Sequence, residues 1–102
     1  MILTHRALRR FLESEPSRQF GTNCETCPIA TYLRSRGHPA AYADEISYSL
    51  TGAHGCETLF ALWARAFTEA VVRWGWVHGG VISAPQAIHF LDEAVTWARQ
   101  PR

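Results

Sequence analysis

A chain of 102 residues, 47% apolar and 19% charged, has the length of one domain, is too apolar for intrinsic disorder and contains no apolar run long enough to cross a bilayer. Its net charge of +1 gives no global attraction to nucleic acid or membrane, so any such contact must rest on a local patch. All ten basic residues are arginine, which either reflects a GC-rich coding sequence or favours bidentate recognition of phosphate or carboxylate.

The chain begins directly on an amphipathic pattern, without a basic segment leading into an apolar one, which predicts a cytoplasmic protein. Thr4 N-caps a first helix running to about Ser14, with Leu8, Phe11 and Leu12 as its apolar stripe; Glu15-Pro16-Ser17 ends it. Phe20-Gly21-Thr22-Asn23 reads as a loop. Pro28 then announces a second helix, because its missing N–H costs nothing in a first turn, and Gly37 with Pro39 stops that helix.

From Ala40 to Leu50 the period changes to alternation, with Tyr42, Asp44, Ile46, Tyr48 and Leu50 on one side, which predicts a short strand or hairpin over 41–50 broken near Asp44-Glu45. A turn-rich loop, 51–55, leads into the longest helix, expected from about Glu57 to Trp74. Its stripe is Leu59, Phe60, Trp63, Phe67, Ala70, Val71 and Trp74. Gly79-Gly80 marks a tight turn or short strand. Ser83 and Gln86 form a capping box for a last helix to about Arg99, with Ile88, Leu91, Ala94, Val95 and Ala98 facing inward. About four helices with so few β residues predict one globular domain, 1–102, of helix-dominated α+β class.

Chemistry is sparser. Cys24-x-x-Cys27 is half of a zinc site, and His54-Gly-Cys56 is the nearest second half, giving a candidate set of Cys24, Cys27, His54 and Cys56 with His38 as a substitute. Three cysteines in a reducing compartment are thiols or ligands rather than a disulfide framework. Cys27 also stands at a helix start, where the dipole lowers a thiol pKa and would suit a redox switch; against both readings, it can simply be a buried N-cap. His89, beside Ile88, Phe90 and Leu91, reads as a core-edge histidine, and His78 falls in a loop.

Arg6, Arg9 and Arg10 with Arg34 and Arg36 would form a basic patch for a phosphate-bearing ligand if the first two helices pack side by side; otherwise they are a solvated face balanced by Glu13, Glu15 and Glu25. Trp76 and Trp97 fall off their stripes and are candidate anchors for a partner or a second copy. No nucleophile elbow, phosphate loop or H-E-x-x-H pattern occurs, so no enzyme class receives support.

Phe11-Leu12 with Glu15-Pro16, Cys27-Pro28-Ile29-Ala30-x-Tyr32-Leu33, Trp63-x-x-x-Phe67 and Ser83-Ala84-x-x-Ala87-Ile88-x-x-Leu91 follow one another in an order that resembles a group of small uncharacterised bacterial and phage proteins. The resemblance carries no activity. It implies a phage or mobile-element setting, in which small proteins bind a host protein or sequester a signal. In that pattern Cys27 is the helix-start cysteine, while Cys24 and Cys56 are features of this sequence. The expectation is a non-enzymatic binding or regulatory protein without a cofactor, acting on a protein or phosphate-bearing partner, forming homo-oligomers and avoiding membranes. Zinc at Cys24, Cys27, His54 and Cys56, or a thiol switch at Cys27, are the alternatives.

Overall fold

The structure, a computed structural model, describes residues 2–53 and 55–101. Helix α1 spans His5–Glu13, α2 Pro28–Ser35, α3 Leu62–Val77 and α4 Ala84–Ala98. The strands are β1 Gln19–Gly21, β2 Tyr42–Ala43, β3 Ser47–Ser49, β4 Thr58–Leu59 and β5 Val81–Ser83. They form a two-stranded antiparallel sheet, β1-β5, and a three-stranded one, β2-β3-β4. This is the expected helix-dominated α+β architecture. No helix among the described residues is long and apolar enough to cross a membrane.

Local chemistry sets the helix starts. Thr4 Oγ1 accepts from Ala7 N at 3.1 Å, and Ser83 Oγ accepts from Gln86 N at 3.2 Å. The capping box is thus present in its forward half; a return bond from the Gln86 side chain is not among the hydrogen bonds of the described residues. The sulfur of Cys27 takes the same capping role at α2, accepting from Ala30 N at 3.4 Å. Leu8 and Leu12 of α1, Leu91 of α4, and Phe67 and Val71 of α3 are each at most 1% exposed and form the centre of the core. At the flank of the same stripe, Phe11 meets Phe20 and Tyr32, and Tyr32 Oη donates to Ile2 O at 2.9 Å. Those contacts seat α2 against α1.

Two expected boundaries move. The loop expected at Phe20 begins as strand β1, because Phe20 is buried and pairs with Ile82 across the β1-β5 ladder. The third helix starts at Leu62 rather than near Glu57. Thr58 and Leu59 pair with Tyr48 and Ser47 instead, Phe60 N donates to Ile46 O at 2.8 Å, and the Phe60 ring stacks on Tyr48. Leu59, placed in the helical stripe by spacing, is therefore a strand residue and 74% exposed. Spacing by three and four is ambiguous at a helix start when a buried aromatic just before it is satisfied by a neighbouring strand. The hairpin over 41–50 forms as expected, turning at Asp44-Glu45.

Candidate functional site

A cavity of about 520 Å³ lies where the β1–α2 loop, the β2–β3 turn and α3 converge. Asn23 builds the first wall. Its Oδ1 accepts from Glu25 N at 3.0 Å, Thr26 N at 2.9 Å and Thr26 Oγ1 at 2.8 Å, and its carbonyl accepts from Cys27 N at 3.0 Å. A side-chain amide that holds its own turn in this way fixes the direction in which α2 leaves. Ala43 N donates to Cys24 O at 2.9 Å, and this bond joins the loop to the hairpin.

Asp44 builds the second wall by the same device. Its Oδ1 accepts from Ile46 N at 2.9 Å, Ser47 N at 2.7 Å and Ser47 Oγ at 3.1 Å. The third wall is α3, through Phe67, Thr68, Val71 and Val72. Its close approach to the loop depends on Gly75, where a Cβ would stand 2.2 Å from Thr22 Oγ1.

Most of the lining is apolar: Pro28, Ile29, Ala43, Ile46, Phe67 and Val71 are part of it. The charged side chains among its lining residues are Asp44 and Glu45, both at the more exposed end. The polar exception in depth is Thr68, which is 6% exposed and whose Oγ1 has no hydrogen-bond partner. A helical threonine ordinarily satisfies its hydroxyl on the carbonyl one turn back. An orphaned buried hydroxyl costs about 1–3 kcal/mol, so Thr68 is a local cost to the packing of α3 beside the cavity.

The residues singled out in the sequence distribute unevenly around this site. Cys24 and Cys27 both line it, Cys24 exposed and Cys27 buried. Cys56 is exposed, and His54 lies outside the described residues. Among the described residues no three His, Cys, Asp or Glu side chains are grouped to hold a metal ion, the substitute ligand His38 included. Burial pushes the Cys27 thiol up to about 11, against the smaller lowering from the backbone N–H groups of Ala30 and Ile29. That is the reverse of the lowering expected from the helix dipole alone: removal from water outweighs the helix terminus. Iodoacetamide near pH 8 is accordingly expected to modify Cys24 and Cys56 promptly and Cys27 only on unfolding; prompt labelling of all three, read by mass spectrometry, would refute this assignment.

Trp76, 78% exposed, borders a groove that shares Glu45, Ile46 and Val72 with the cavity and therefore opens beside it. Trp97 lies elsewhere, with Leu62 in a groove between α3 and α4. The arginines face several ways. Arg9 makes a bidentate pair with Asp92 of α4 at 2.9 and 3.0 Å and a second pair with Glu13, which together raise its pKa. Arg34 turns its Nε to Ala41 O at 2.9 Å and lines a groove with Arg18, whose guanidinium lies 5.4 Å from the Phe20 ring centre. Arg6, Arg10 and Arg36 are exposed; Arg6, together with Arg99, contributes to holding His5 below its usual pKa, after burial. His89 is an exposed partner of Glu93 at 2.6 Å rather than a core-edge residue, and His78 stacks on Trp74.

Sequence reasoning passed over Thr68, Asn23 and Asp44. Thr68 was detectable as a hydroxyl on the apolar face marked by Ala64, Phe67 and Val71. Neither a family model nor a curated protein nor a solved structure matches this chain.

Proposed function

We propose that the protein is a non-enzymatic binding module whose ligand occupies the cavity between the β1–α2 loop, the β2–β3 turn and α3. The observation that carries this reading is a mostly apolar cavity of about 520 Å³ whose polar groups, the side chains of Asn23 and Asp44, stand in two of its walls. Small-molecule sites occupy about 300–1,000 Å³ and combine an apolar lining with a few placed polar groups. The setting implied by the resemblance, a phage or mobile element, suits a protein that sequesters a small signal. Trp76 and Ile46 at the mouth would then contact whatever the loaded protein meets next, and Leu62 with Trp97 would be the face of a homo-oligomer, whose copies a native mass spectrum counts.

A thermal-shift screen of small apolar fragments tests the reading. A ligand present at 100 times its Kd is expected to stabilise the fold by about 2.7 kcal/mol. For a domain of this size that is a rise of about 10–20 °C in melting temperature. A panel in which no fragment moves the melting point would remove the cavity as a binding site.

A further inference from the structure

Helix α3 carries two stripes. Ala64, Phe67, Val71 and Gly75 are buried in the core, whereas Leu62, Ala66, Glu69, Arg73 and Trp76 recur on the opposite side at steps of four and three, the spacing of a helix that packs against another helix. On this outer ridge Leu62 is 50% exposed, and the side chains of Glu69 and Arg73, an ion pair one turn apart, are 61% and 70% exposed. Grooves run along both flanks of the ridge. One, toward α4, has Leu62, Ala66, Ala70 and Trp97 in its lining; the other, toward the β2–β3 turn, has Ile46, Arg65, Val72 and Trp76.

The order of charges along the ridge decides what complements it. Arg65, Glu69 and Arg73 follow one another, each one turn from the next. A parallel copy of the helix would set each charge against its own kind. An antiparallel copy, related by a two-fold axis at the level of Val71, sets Glu69 against the partner's Arg73 and Arg73 against the partner's Glu69, so that two ion pairs form at once. The same axis keeps each flank on its own side, and each groove therefore meets its counterpart. At a rise of about 1.5 Å per residue, Trp76 then stands within about one residue of the level of the partner's Arg65, whose guanidinium suits the face of an indole. Val77, 78% exposed, comes level with the partner's Ala66, in the groove that the small side chains of Ala66 and Ala70 leave open.

We infer that this ridge and its two grooves form a two-fold interface with a second copy of the chain, centred on reciprocal Glu69–Arg73 pairs and anchored by Trp76. The inference rests on the homo-oligomer in the reading above and not on the ligand of the cavity. It carries that reading further, because the groove beside Trp76 shares Glu45, Ile46 and Val72 with the cavity, so the partner stands at the cavity mouth.

Native mass spectrometry and light scattering on the full chain test it, and the parent should be found as two copies. Glu69→Arg makes the ridge positive throughout, and Arg73→Glu sets glutamates against each other across the axis, so each variant alone should weaken the dimer at least about tenfold. Mixed in equal amounts, the two variants should pair with each other, because the new arginine meets the new glutamate while the native Arg73 meets the native Glu69. That pairing also shows that both variants fold. Trp76→Ala should weaken the parent dimer by about tenfold or more. A parent chain that stays single at about 100 μM, where even a weak dimer is populated, overturns the interface and the homo-oligomer with it, while the fragment screen of the cavity is unaffected. If two copies persist but the charge variants self-associate as tightly as the parent, fail to pair with each other, or Trp76→Ala changes nothing, the oligomer stands on another face and this interface is overturned.

Discussion

Phe67→Ala is expected to destabilise the fold by about 3 kcal/mol, the lower end of the range for losing a buried phenylalanine. The ring is 1% exposed, so its whole transfer free energy is lost. It also stands among the residues that line the cavity, so the space the ring vacates adjoins volume already present and its neighbours have room to relax into it. Domains of this size are stable by only about 5–15 kcal/mol, so the loss would be plain in a urea titration as an earlier midpoint at nearly unchanged slope. The same variant merges the vacated volume with the existing cavity, so an aromatic probe should recover part of the lost stability. A drop under about 1 kcal/mol would mean that Phe67 does not separate the cavity from the core.

Gly75→Ala is the second large effect, and its sign is opposite to helix propensity. Gly75 lies inside α3, where alanine normally gains about 1 kcal/mol over glycine. Here the added Cβ would sit 2.2 Å from Thr22 Oγ1, 2.7 Å from Thr22 Cβ and 2.9 Å from Thr22 Cγ2. The whole threonine, and with it the loop that walls the cavity, must move away. Forced overpacking costs about 1–3 kcal/mol; all three Thr22 side-chain atoms stand under 3 Å from the new Cβ, which puts the cost toward the upper end and leaves a net loss approaching about 2 kcal/mol. Adding Thr22→Gly should recover most of it in the same denaturation measurement, whereas a Gly75→Ala protein at least as stable as its parent would contradict the contact.

Elements with a strong period or an unambiguous cap were legible from the residues alone. Thr4 and Ser83 cap their helices, Pro28 leads α2, and the alternation from Tyr42 to Leu50 becomes the β2–β3 hairpin. What could not be read was settled by partners distant in the chain. Gln19–Gly21 is a strand only because Val81–Ser83 lies beside it, and Thr58–Leu59 only because Tyr48 is there to pair. The cavity was illegible for the same reason. Its walls come from three regions, and the fact that Thr68 lacks a partner is a statement about all of its neighbours rather than about its own place in the sequence. Cys24 and Cys27 mark the loop that walls the cavity, though by the spacing of a metal half-site and not by the apolar space behind them.

The same separation along the chain has a kinetic consequence. Residues 22–29, 43–46 and 67–72 must all be docked before the cavity exists. Those contacts span up to about 50 residues, so closing the loops between them is an entropic cost that the late, native-like stage of folding has to meet. A ligand that grips all three walls therefore has little to hold in the folding transition state. It should leave the refolding rate almost untouched and slow unfolding instead, so that the loaded protein persists longer than the empty one under proteolysis governed by the unfolding rate.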